Sequence, residues 1–320
     1  MRLPGLLSFP LTPFTPADTV DLSAFADHVE RQIAAGPAAI FVACGTGEFT
    51  ALSGDEYRAV VTAALRVARG RLPVIAGCGG GPRAAAEFAR TADAAGADGL
   101  LLLPPYLVSS TPAGLLGHVR YVAERSRLPI TVYQRANAVL DPAAAVALLD
   151  IPTVTGIKDG RGDVDQMLRL VTSIRRSGHP RAAEFEFFNG LPTAELSALA
   201  YRAIGVSGYS SAVLCFAPDI ATAFYRAIRD GDTETQQLLL AEFYLPFAAL
   251  RDQVPGYAVA LVKAGARLSG LDLGRVRPPL VDPSPEHVAQ LREILGRGRA
   301  ALATIGDPET PPVDRPVVVS

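Results

Sequence analysis

The sequence predicts an α/β fold, a (β/α)8 TIM barrel with a C-terminal helical extension. Short β-rich runs alternate with longer amphipathic segments about eight times over roughly 230 residues, the length and rhythm of such a barrel. Most of the short runs are apolar on both faces, as in a parallel sheet covered by helices. A doubly wound sheet usually has fewer strands and a glycine-rich first turn, so it fits this chain less well.

The strand candidates are Leu6 to Phe9, Ala38 to Ala43, Leu72 to Gly77, Gly99 to Leu103, Pro129 to Tyr133, Val154 to Lys158, Phe185 to Phe188 and Ala203 to Gly208. Helix starts are marked between them. Ser53 and Glu56 form a capping box ahead of an apolar stripe at Tyr57, Val60, Val61, Ala64, Leu65 and Ala68. Thr111-Pro112 and Asp141-Pro142 each pair an N-cap with proline at the first helical position. From about residue 232 the pattern turns purely helical, with a stripe from Leu238 to Leu250, a second helix over Pro255 to Leu268 and a third opened by Ser284-Pro285-Glu286 and ending near Arg299. The organisation expected is a barrel over residues 1–231, a helical appendage over 232–303 and a flexible proline-rich tail over 304–320.

Composition excludes several classes of function. A net charge of -2 gives no reason to expect nucleic acid or a lipid surface as partner. No apolar run approaches the ~18 residues of a membrane span, and no signal peptide is expected. Cys44, Cys78 and Cys215 are odd in number and widely spaced, which suits a reducing cytoplasm and neither a disulfide framework nor a metal site.

Lysine usage points to the chemistry. Of 30 basic residues only two, Lys158 and Lys263, are lysines. Wherever a plain positive charge suffices, this chain has arginine. Lysine offers what guanidinium lacks, an amine that loses its proton when desolvated and attacks a carbonyl. Lys158 ends the apolar run Thr153-Val-Thr-Gly-Ile157 and precedes the turn Asp159-Gly-Arg-Gly162, which places it at the carboxyl end of a strand, where barrels keep their active sites. Lys263, within a helical stretch, reads as structural.

The other strand-end loops supply candidates for binding. The loop Cys44-Gly-Thr-Gly-Glu-Phe49 offers backbone N–H groups at Gly45 and the Thr46 hydroxyl to a small carboxylate. A phosphate there is disfavoured by Asp55 and Glu56 in the first turn of the next helix. Tyr133 can relay protons or simply pack its ring, and Arg135 presents a fork for a second carboxylate. Asn189 puts an amide at the mouth; Ser210 and Ser211 bring hydroxyls that bind substrate or cap the following helix.

The order of Gly45-Thr-Gly-Glu48, Tyr133 and Gly156-Ile-Lys-Asp159 resembles the dihydrodipicolinate synthase and N-acetylneuraminate lyase superfamily of Schiff-base barrels, over roughly residues 5 to 300. The resemblance implies an iminium between Lys158 and a 2-oxo acid, a proton relay at Tyr133, and a carboxylate held at Gly45 and Thr46. It also implies a homo-oligomer, dimer or tetramer. Departures narrow the branch. The synthase carries two adjacent threonines where this chain has Gly45-Thr46, and paired tyrosines where it has Tyr106-Leu107. Ala43 to Phe49, Gly208 to Ala212, Pro255 to Ala258, Val262 to Arg267 and Val276 to Leu280 instead resemble the 5-dehydro-4-deoxyglucarate dehydratase branch. That branch implies a sugar-acid substrate, loss of water and CO2, and neither metal nor organic cofactor. A pyruvate-releasing lyase or a synthase of the same superfamily, and a non-catalytic barrel that binds a 2-oxo acid, are the alternatives.

Overall fold

A computed structural model describes residues 5–105, 108–135 and 137–305, so Tyr106, Leu107 and the tail beyond residue 305 lie outside the described residues. Eight parallel strands close into a barrel in chain order: β1 Leu6–Ser8, β2 Ala39–Val42, β3 Val74–Cys78, β4 Gly99–Leu102, β5 Ile130–Gln134, β6 Val154–Asp159, β7 Glu186–Asn189 and β8 Gly208–Ser211. β1 pairs with both β2 and β8, which leaves no sheet edge.

Seven of the expected strands fall within a residue or two of their observed bounds, and the eighth is displaced. Ala203 to Ser207 is not strand, and β8 begins at Gly208. Ala203 instead ends the helix Ala198–Ala203, and Gly205, at φ 88°, turns the chain out of it. The N–H groups of Gly205 and Val206 close back on the carbonyls of Arg202 and Tyr201. The β-branched pair around Gly205 thus belongs to a helix C-cap and its exit, which resembles a strand in composition alone. The expected caps are present, with the Ser53/Glu56 box complete and Thr111 and Asp141 accepting from Gly114 and Ala144 N–H.

Three bodies of apolar side chains hold the molecule together. The first lies between the barrel wall and the helices of the first seven units, including Val42, Tyr57, Ala76, Leu102 and Ile157. Another fills the lumen with Leu7, Phe9, Phe41, Ile75, Leu101, Tyr133 and Phe188. Here Phe9 stacks on Phe41 at 4.6 Å between ring centroids. The last joins β8 and its helix, Pro218–Asp230, to the C-terminal helices through Phe216, Phe224, Phe243, Tyr244 and Phe247.

The extension is a single helical run, Thr233 to Arg251, followed by helices Tyr257–Leu268 and Pro285–Ile305. The first run widens to a π turn over Leu240–Tyr244 just before Pro246. Proline has no N–H to return to the preceding turn, so the wider turn absorbs the missing bond. The helix Pro285–Ile305 runs past the expected end near Arg299.

The segment after the second of these helices clamps the loop that follows β2. Lys263 is fully buried, 2.8 Å from Glu48 Oε1, and donates to the Arg275 carbonyl. Arg277 donates through its backbone N–H to Glu48 Oε2 and through its guanidinium to Asp18, Ala51 and both oxygens of Glu56. The Arg277 bond holds the Glu56 carboxyl down to about 2, against the opposing effect of burial. Such a contribution is full above the ordinary 4.5 of a glutamate and is lost as pH falls toward about 2. We expect Arg277→Met to lower stability at pH 7 by roughly 2–4 kcal/mol, discounted for the exposed Asp18. In paired melts the gap should close between about pH 4.5 and 2; a gap constant across that range would place the stabilisation elsewhere.

Candidate active site at the carboxyl mouth of the barrel

Strand register decides which side chains enter the lumen. Tyr133, Lys158 and Phe188 are paired across β5, β6 and β7, and they point inward together. The next row, Gln134, Asp159 and Asn189, points outward. Gln134 donates to Asp159, and Asp159 also accepts from the Tyr201 hydroxyl and from the N–H groups of Arg161 and Gly162. This outward row ties down the loop that follows Lys158.

Lys158 stands in the lumen with 5% of its surface exposed and its Nζ 3.9 Å from the Phe9 ring centroid and 4.3 Å from that of Tyr133. Its Nζ has neither a hydrogen-bond acceptor nor a carboxylate partner among the described residues. Burial holds the amine down to about 7; Cys44 opposes this and the Arg135 charge adds to it. Burial also pushes the Cys44 thiol up to about 12. At neutral pH that thiol is uncharged and offers Lys158 no counter-ion, and a substantial fraction of the desolvated amine is neutral.

Two glycines make room for this pair. A Cβ at Gly190 would overlap the Lys158 side chain at Cε, Cγ and Cδ, and one at Gly160 would sit 2.7 Å from the Tyr133 hydroxyl. Tyr133 is 7% exposed, donates to the Gly190 carbonyl at 3.0 Å and accepts from Arg135 Nη1 at 3.2 Å. Burial raises its phenol above the ordinary value, with Arg135 acting in the opposite sense. Tyr133 therefore rests as a phenol.

Above the amine opens a cavity of about 220 Å³, lined among others by Gly45, Thr46, Tyr133, Arg135, Lys158, Thr193, Ser210 and Arg251. The N–H groups of Gly45 and Thr46 and the Thr46 hydroxyl have no partner among the described residues. The loop bends sharply, with Ala43 and Glu48 both in the left-handed region, at φ 48° and 55°. Its far end is pinned by the Thr12 hydroxyl donating to the Gly47 carbonyl. Gly45 and Thr46, which line the cavity, are thus held in a fixed frame.

Two of the sequence candidates do not reach the cavity. Asn189, fully buried, donates to the Ala194 carbonyl and Ser197 hydroxyl and accepts from Leu191 N–H. Ser211 donates to Glu195 and accepts from Leu214 N–H. Both lie on the outward face of their strands, and neighbours on a strand face opposite ways, so Ser210 and Ser211 cannot both point in. Of the candidates, Lys158, Tyr133, Gly45, Thr46, Arg135 and Ser210 are brought together.

Sequence reasoning missed Thr193 and Arg251. Arg251 closes the first helical run of the extension, its side chain 14% exposed, and donates to Asp252, to the Pro192 carbonyl and to the Thr193 hydroxyl. Thr193 has φ 52° and ψ 58°, a conformation that costs a β-branched residue on the order of 1–3 kcal/mol. A solitary arginine among many carried no signal of this. Among the described residues no group of His, Cys, Asp or Glu has the arrangement of a metal site, and no helix is long and apolar enough to cross a membrane.

Space for the Lys158 side chain depends on Gly190, so Gly190→Ala should displace the amine. Pyridoxal phosphate followed by borohydride should label Lys158 in the native protein at neutral pH and label it at least about tenfold more slowly in Gly190→Ala, with the far-ultraviolet spectrum unchanged. Equal labelling would mean that the amine does not rely on that gap.

Comparison with known proteins places the architecture in one lineage. The Dihydrodipicolinate synthetase family model matches residues 2–297. Two curated relatives, each named a probable 5-dehydro-4-deoxyglucarate dehydratase, are 52% identical (Streptomyces coelicolor, 93% of this chain and 94% of that one) and 53% identical (Streptomyces griseus, 93% of both). Dihydrodipicolinate synthase structures from Oceanobacillus iheyensis and Thermotoga maritima superpose with TM-scores of 0.84 and 0.83 at 25% and 26% identity. They cover 93% of this chain and 97% and 99% of their own. With nearly the whole chain matched and its barrel shared, this protein belongs to the dihydrodipicolinate synthetase family.

Proposed function

We propose that the protein is a decarboxylating dehydratase that converts 5-dehydro-4-deoxyglucarate to 2,5-dioxopentanoate, water and CO2 through a Schiff base on Lys158. The observation that carries this is the cavity itself: an amine held down to about 7 by burial at its floor, with two arginines in its wall and, among the described residues, no partner for the amine and no carboxylate lining the cavity. An electrophilic ketone flanked by two negative charges suits it. The names of relatives sharing about half of the residues select the particular dianion.

Lys158 Nζ adds to the ketone, and the resting phenol of Tyr133 protonates the departing hydroxyl as the iminium forms. The resulting phenolate is stabilised by Arg135 and removes a proton from the adjacent methylene. The enamine returns its electron pair and expels the neighbouring hydroxide, which takes up a proton and leaves as water. The conjugated iminium that remains accepts the electron pair of the C–C bond to the distal carboxylate, which departs as CO2. Protonation, tautomerisation and hydrolysis then free the amine and the dioxo acid, with the imine as the only electron sink required. Gly45 and Thr46 hold the carboxylate beside the ketone throughout. The three buried, unpaired cysteines fit a reducing cytoplasmic setting, and a homo-oligomer goes with the same reading.

Borohydride added during turnover of 5-dehydro-4-deoxyglucarate should fix one substrate-derived mass on Lys158, with one CO2 per turnover. Lys158→Arg should give neither adduct nor product, whereas Tyr133→Phe should lower kcat by roughly 10²- to 10⁴-fold and leave a slowly formed adduct. Release of pyruvate in place of CO2 would make the enzyme a lyase, and an adduct on Lys263 would overturn the mechanism.

A further inference from the structure

We propose that Asp159 is the positioning residue of Tyr133, fixing the two glycines that the phenol packs against; this rests on the proton-relay reading of Tyr133 above. Asp159 closes β6, and its side chain is fully buried on the outward face of the wall. Both carboxylate oxygens accept twice. Oδ1 takes Gln134 Nε2 at 2.7 Å and Arg161 N–H at 3.3 Å, and Oδ2 takes Gly162 N–H at 3.2 Å and the Tyr201 hydroxyl. The end of β5, the loop after β6 and the helix Ala198–Ala203 thereby meet on one carboxylate.

The main chain of the same residue leads to the phenol. The Asp159 carbonyl accepts from Gly190 N–H at 2.6 Å, and the Gly190 carbonyl accepts from the Tyr133 hydroxyl at 3.0 Å. Gly160, the next residue, lies against the same ring, where a Cβ would come within 2.7 Å of the hydroxyl. Its N–H donates to the Gln134 carbonyl at 3.0 Å, so side chain and main chain tie together the same two strand ends. Glycine has little stiffness of its own, and an acid that must deliver a proton depends on where its hydroxyl points. The bonds on Asp159 supply that stiffness. Burial raises the Tyr133 phenol, against Arg135, and the Asp159 charge adds to the effect of burial, so the hydroxyl keeps its proton at rest. An asparagine of the same shape cannot replace this carboxylate. Whichever way its amide turns, its NH2 group faces the N–H of Arg161 or that of Gly162.

The test is a double-mutant cycle on turnover of 5-dehydro-4-deoxyglucarate, with Asp159→Asn, Tyr133→Phe and the two combined. Asp159→Asn should lower kcat by at least about tenfold and change KM by less than about threefold. In the Tyr133→Phe background the same change should cost less than about twofold, because the hydroxyl it positions is already gone. Losses that multiply in the double variant, or a raised KM with kcat unchanged, overturn the proposal. Should Asp159→Asn fail to fold, Tyr201→Phe, which removes one donor and keeps the ring, decides in the same cycle, with an expected loss of about threefold in kcat. A wild-type kcat in Tyr133→Phe alone sinks the proton-relay reading and this proposal with it, whereas multiplying losses sink this proposal alone.

Discussion

The removal of one amine from water organises this site. An ammonium in the lumen faces the rings of Phe9 and Tyr133 with no carboxylate among the described residues to compensate it, and burial lowers its hold on the proton to about 7. Everything around Lys158 serves that outcome. The outward row of Gln134 and Asp159 fixes the strand ends, Gly190 and Gly160 leave room for the lysine and tyrosine side chains, and Arg135 adds positive charge without supplying an acceptor. Burial away from solvent, with no partner among the described residues, favours the neutral form of the amine, at a cost in stability that a leucine at the same position would not incur.

The helical extension completes the site. Through Lys263, Arg275 and Arg277 it grips Glu48, the residue at which the β2 loop turns sharply, and so holds Gly45 and Thr46 open to the cavity. Through Arg251 it reaches the β7 loop from another side. The separated motifs that tie this chain to the dehydratase branch, Ala43 to Phe49, Val262 to Arg267 and Val276 to Leu280, are therefore the two halves of one clamp. The second lysine is explained too, since a compact ammonium fits between a buried carboxylate and a carbonyl.

The barrel and the placement of Lys158 and Tyr133 at its mouth were legible in the sequence because their signals are local: two-faced apolar runs, capping residues, and a lysine where arginine is the rule. Register was less legible. The pair Ser210 and Ser211 could have been split by strand alternation alone, whereas the outward turn of Asn189 needed its alignment with Gln134 and Asp159 across three strands. Ala203 to Gly208 was misread because β-branched residues around a glycine suit both a strand and a helix exit, and only the closing bonds to Tyr201 and Arg202 separate the two. The contact between Thr193 and Arg251 joins residues 58 apart, and no local pattern marks it.

The state of the Lys158 amine can be read directly, since a chain with two lysines labelled with ¹³C at Cε gives two methylene resonances whose shifts follow the charge on nitrogen. Loss of one resonance in Lys158→Arg assigns it. That resonance should titrate with a midpoint near 7 in the native protein. A midpoint near the ordinary 10.5 of a lysine would mean that the lumen keeps the ammonium charged at neutral pH, and would contradict the desolvated nucleophile on which the mechanism depends.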